Sequence, residues 1–73
     1  MEDQPTTLWT LRKAERLASC RVKLVPYGVE VDVLADGALI VTRVFENGDE
    51  ALAWAEEKRA ARAAQGWRTD EAG

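Results

Sequence analysis

Histidine is missing from these 73 residues, and cysteine, serine, methionine, tyrosine and phenylalanine occur once each. Without an imidazole, no side chain is poised to act as a general base near neutral pH. Ser19 and Cys20 stand side by side with no base in sight, so neither reads as a nucleophile. A lone thiol can form no internal disulfide and, with no histidine to help it, no zinc site. Cys20 therefore reads as a small core residue. Glycine is sparse and nowhere gathered into a phosphate-binding loop. The adjacent carboxylates Asp49-Glu50 and Glu56-Glu57 fall on a helix surface, where capping and solubility account for them. The expectation is no enzyme, no metal and no cofactor.

A surplus of positive charge is lacking too. Ten Lys and Arg face 13 Asp and Glu, a net charge of −3, which argues against a general nucleic-acid binder. No apolar run approaches the roughly 18 residues of a spanning helix. The N-terminal MEDQPTT has neither the basic nor the apolar region of a signal peptide. The expected location is the cytoplasm, with no membrane contact. What remains, 47% apolar and 32% charged, is a globular composition. It reads as one domain over residues 1–73, with loose ends at 1–6 and 69–73, near the lower size limit at which a core holds without staples.

The strongest element is a helix from Asn47 to Gln65. Asn47 is the expected N-cap and Glu50 the other half of a capping box. Asp49 and Glu50 sit at the positive end of the dipole, Lys58, Arg59 and Arg62 toward the negative end, and Gly66 supplies the left-handed residue that stops it. On a helical wheel Ala51, Leu52, Trp54 and Ala55 share one arc, so Trp54 is the expected core anchor. Trp67, just past the glycine, is expected to fold back as a lid on the last turn.

Ahead of the helix the hydrophobic period is two. Cys20, Val22 and Leu24 alternate with Arg21 and Lys23; after a turn at Pro26, Tyr27 and Gly28, Val29, Val31 and Val33 alternate with Glu30 and Asp32. Pairing Leu24 with Val29 matches apolar residues on the inner face and sets Lys23 against Glu30 and Arg21 against Asp32 on the outer. Asp36-Gly37 is a strong hairpin signal. Counting outward from it pairs Val33 with Ile40, Val31 with Thr42 and Val29 with Val44, and puts Glu30 opposite Arg43. Residues 7–18 are ambiguous, since TLWTLR alternates like a strand while RKAERLA favours a helix; the expectation is a strand over about 7–12 followed by a turn or short helical loop, with a first helix as the alternative. The expected class is α+β, an antiparallel meander of three or four strands with one C-terminal helix packed on it (β-β-β-β-α), with α-β-β-β-α as the alternative.

Two surfaces stand out. The hairpin register turns Leu34, Leu39 and Val41 outward, an apolar patch that suggests a protein partner or a second copy of the chain. Lys58, Arg59 and Arg62 continue the core arc of the helix. Their stems can cover the sheet while the heads reach water, or they can meet an anion or nucleic acid. The leading expectation is a non-enzymatic interaction or self-associating module, a homodimer among the options, with nucleic-acid binding through the sheet face or the basic stripe as the second reading.

From Cys20 to Trp67 the pattern C-x-V-x3-P-x-G-x-E-V, then D-G, R-x-F, E-A-x-x-W-A-E-E-x-R and G-W, resembles a group of short uncharacterised bacterial proteins. That resemblance implies a self-contained bacterial domain with no assigned activity. Phe45, Glu50, Ala51, Trp54 and Ala55 are also similar to the strand-to-helix corner of the three-stranded DNA-binding domains of phage-type integrases. This second likeness implies a sheet face that enters the major groove; here that face would show Arg21, Lys23 and Arg43 together with Glu30 and Asp32.

Overall fold

The computed structural model describes residues 5–70. Four long strands run in chain order, β1 (Thr6–Lys13), β2 (Arg16–Val25), β3 (Gly28–Ala35) and β4 (Ala38–Phe45). They are followed by the helix α1 (Gly48–Ala63) and a two-residue strand β5 (Arg68–Thr69). All neighbouring strands are antiparallel and lie in the order β4-β3-β2-β1-β5, so the fold is α+β of the β-β-β-β-α kind. No helix among the described residues is long and apolar enough to cross a membrane.

The ambiguous segment 7–18 is a hairpin. Ala14 adopts the left-handed conformation (φ 56°) in a two-residue turn, and β2 starts at Arg16, four residues before the alternation from Cys20 becomes plain. Strand pairing on both sides overrides the helix propensity of RKAERLA. The expected loose ends shrink for the same reason, because Thr6 belongs to β1 and Thr69 pairs with Leu11.

Between β2 and β3 the register is the expected one, Leu24 with Val29, Val22 with Val31 and Cys20 with Val33. Lys23 Nζ lies 3.7 Å from Glu30. Between β3 and β4 the count from the hairpin tip holds only for Ala35–Ala38 and Leu34–Leu39. A bulge at Ile40 then inserts one residue, and the pairs become Val33–Val41, Asp32–Thr42, Val31–Arg43, Glu30–Val44 and Val29–Phe45. Since side chains alternate, one extra residue sends every later one to the opposite face. Val41 and Phe45 thereby reach the core, and Thr42 donates to Asp32 Oδ1 at 2.8 Å on the outer face. Arg43 has no pairing with Glu30; it crosses to the helix side.

The core lies between β1–β3 and α1. Cys20, Val31, Val33 and Ala51 are fully buried, with Leu11, Ala18, Val29 and Ala55 close behind. Asn47 Oδ1 accepts from Glu50 N–H at 2.9 Å as N-cap. At the other end Gly66 (φ 98°) closes a Schellman motif in which Trp67 N–H donates to Arg62 O and Gly66 N–H to Ala63 O, each at 3.1 Å. The residues facing the sheet most directly are Ala51 and Ala55. Trp54 stands at their flank, half-buried, its ring 5.7 Å from that of Phe45, and Leu52 turns out to solvent.

Gly28 and Gly37 both have positive φ but differ in surroundings. A Cβ at Gly28 would come within 2.1 Å of Phe45 O, a backbone atom that cannot step aside, whereas one at Gly37 meets nothing. Gly37→Ala should cost about 1 to 2 kcal/mol, the strain of a left-handed alanine. Gly28→Ala should cost about 3 kcal/mol or more because β4 must move. Urea unfolding of the two variants checks the order; equal losses would mean that β4 does not press on the β2–β3 turn.

Candidate association edge and basic hollow

The outward apolar patch is only partly the expected one. Leu34 and Leu39 do face each other on the side away from the helix, with Leu39 58% exposed. Val41 does not join them, because the bulge turns it inward, where it packs against the core cluster. Its place on the outer face goes to Val44, 41% exposed beside Glu30. The patch therefore follows one strand, β4, and that strand is the open edge of the sheet. The opposite edge is covered in part, β5 pairing with Leu11 and Arg12 of β1. The one charged side chain in β4 is drawn away, the Arg43 guanidinium lying 5.2 Å from the Phe45 ring centre and 5.8 Å from that of Trp54.

The three helix cations do not form a common surface. Lys58 Nζ sits 5.2 Å above the Trp54 ring. Arg59 turns to Glu56, Nε donating to Oε1 at 2.9 Å with a second, very short contact through Nη2; this bond holds the Glu56 carboxyl below its usual range. Arg62 points the other way, into a hollow of about 480 Å³ at the C-terminal end of α1. There it meets Lys13 and Arg16, over a floor of Ala18, Ala35 and Ile40 and beside Trp67. Arg16 Nε donates to Asp36 Oδ2 at 3.3 Å, and its guanidinium lies 5.7 Å from the Trp67 ring. Asp36 also accepts from Leu17 N–H at 2.9 Å, and that bond, ahead of Arg16, lowers its carboxyl pKa. Lys13 and Arg16 escape a sequence reading because RKAERLA gives no sign that its two ends fold back side by side.

On the outer face Lys23 is paired with Glu30 and Arg12 with Asp70, at 3.7 and 3.6 Å. Arg21 stands across from Asp32 with its Nε buried and unpartnered. No protein-family model matches the chain, and neither a curated protein nor a solved structure matches it.

Cys20 is wholly buried, and its thiol is pushed up to about 11, first by burial, then by the charge of Asp32, with Arg62 pulling the other way. A thiol this protonated and covered is no nucleophile. Because the folded value lies above the ordinary 9.0, the stability this group contributes is full below pH 9 and drains away as pH rises toward about 11. Two outcomes follow: labelling of Cys20 by a thiol reagent at pH 8 should proceed only at the rate of unfolding, and the melting temperature should fall between pH 9 and 11. At the acid end the lowered Asp36 makes its contribution above the usual carboxylate range, lost as pH falls through its folded pKa. Rapid labelling of the native chain would show that the cover over Cys20 opens.

Proposed function

We propose that the chain is a non-enzymatic association module that pairs with a second copy of itself through the open edge of β4. The observation that carries this reading is the contrast between the two edges of the sheet. β1 is partly covered by β5, while among the described residues no strand pairs with the outer side of β4, and that edge is flanked by Leu39, Ile40 and Val44, each exposed by 41% or more. An unpaired strand is a row of free backbone donors and acceptors, and natural sheets normally blunt it with charge or proline. Here the bulge at Ile40 is the only such device, since Arg43 is held over the Phe45 and Trp54 rings. Two antiparallel β4 strands related by a two-fold axis near Thr42 keep Arg43 from facing its own copy. The same patch then serves both protomers, as a closed dimer requires. The outer pair Leu34–Leu39 would lie beside the seam and bury more apolar area there. A buried free thiol and the lack of disulfides suit a reducing, cytoplasmic setting.

Nucleic-acid binding has less support. Arg43 has left the outer face, Lys23 and Arg12 are spent on carboxylates, and the helix cations are separated.

Sedimentation of the wild-type chain should show a dimer with a dissociation constant on the order of 10 µM, insensitive to salt. Val44→Lys should raise that constant at least about tenfold. The fold should be kept, because the lysine falls opposite Glu30. A chain that stays monomeric at millimolar concentration sinks the proposal. Capture of nucleic acid that weakens steeply with ionic strength would replace it with the nucleic-acid reading.

A further inference from the structure

The hollow at the C-terminal end of α1 touches the β4 seam only at Ile40 and differs from it in chemistry. Three cations from three elements converge on it, Lys13 from the end of β1, Arg16 from the start of β2 and Arg62 from the last turn of α1. Among the described residues no carboxylate lines it, although the chain as a whole has three more acids than bases. Gathering like charges around one concavity is unfavourable unless counter-charge fills it. Asp36 serves Arg16 from outside, and among the described residues neither Lys13 nor Arg62 is in an ion pair. A cation at a helix C-terminus ordinarily answers the dipole. Here two of the last carbonyls are already taken, Arg62 O by the N–H groups of Gln65 and Trp67 at 2.8 and 3.1 Å and Ala63 O by that of Gly66. Apart from Gln65 the rest of the lining is apolar, mostly alanine with Ile40 and the Trp67 indole.

We propose that this hollow binds a small planar molecule bearing a carboxylate or phosphate group. The anion sits between Lys13 and Arg62, and the flat apolar part lies on Ala18 and Ala35 against Trp67. Arg16, already held by Asp36 and stacked beside Trp67, forms the wall and needs no rearrangement to add its charge. A volume of about 480 Å³ exceeds what a bare inorganic anion fills and lies within the range of small-molecule sites.

The test is an NMR titration of the full chain with phenyl phosphate and with benzoate, inorganic phosphate and phenol serving as the charge-only and ring-only halves. At least one aromatic anion should shift the Lys13 and Arg62 amides and the Trp67 indole saturably, with a dissociation constant below about 1 mM. Inorganic phosphate and phenol should each bind at least about tenfold more weakly. Lys13→Gln and Arg62→Gln should each lower affinity by about tenfold with the melting temperature kept, Lys13→Gln deciding alone if the other fails to fold. Val44→Lys should leave the titration unchanged, so that failure of pairing and failure of this site are told apart. Absence of saturable shifts with both aromatic anions, or inorganic phosphate binding as tightly as phenyl phosphate, overturns the proposal.

Discussion

Everything in this domain depends on how closely α1 lies on the sheet. Ala51 and Ala55 meet Cys20, Val31 and Val33 directly, and all five are essentially sealed from solvent. Only small side chains allow that approach, and at interior packing density a larger one on either position would lift the helix away. The Trp9 indole fixes the distance from the other side, donating from Nε1 to Ala55 O at 3.1 Å across 46 residues of chain. A carbonyl inside a helix can accept this second bond because it has two lone pairs. One bond thus ties the first strand to the middle of α1.

A helix held this low has no room for bulk beneath it, so the large side chains are displaced to its flanks. Trp54 and Phe45 pack together on the β4 side, while Leu8 and Trp9 pack on the β1 side. Beyond Ala55 the same helix face has only cations to offer. Lys58 spends its charge on the Trp54 ring, and Arg62 reaches over the sheet into the basic hollow. Both candidate surfaces arise in this way. The hollow exists where alanine takes the place of core, and β4 stays open because one 16-residue helix covers one face of the sheet and no edge.

The β2–β3 register and both helix caps were legible because each rests on two local signals that agree. Valines match valines while lysine meets glutamate; Asn47 is followed three residues on by Glu50, and Gly66 by Trp67. The β3–β4 register was not, because its two local signals disagree. Counting from Asp36-Gly37 puts Ile40, Thr42 and Val44 inward, whereas counting back from Phe45, which must sit under the start of the helix, puts Val41 and Arg43 there. The conflict is one residue wide, and a bulge is how a sheet absorbs one residue. Read together, the two counts contain the bulge at Ile40, and with it the separation of Val41 from Leu34 and Leu39.

The sequence by itself determined the class of fold, the strands around the β2–β3 and β3–β4 turns, the ends of the helix and the burial of its single cysteine. All of these depend on residues a few positions apart, where alternation, capping and turn geometry act. Only the tertiary structure decided which cations share a surface and which strand is left open. Arg62 is distant along the chain from Lys13 and Arg16, and it meets them only because the β1–β2 hairpin sets its turn under the end of α1. β4 is an edge only because β5, two residues long, adds itself to β1 instead. Side-chain charge and edge exposure are properties of neighbours in space, and in so small a domain one shifted residue is enough to change those neighbours.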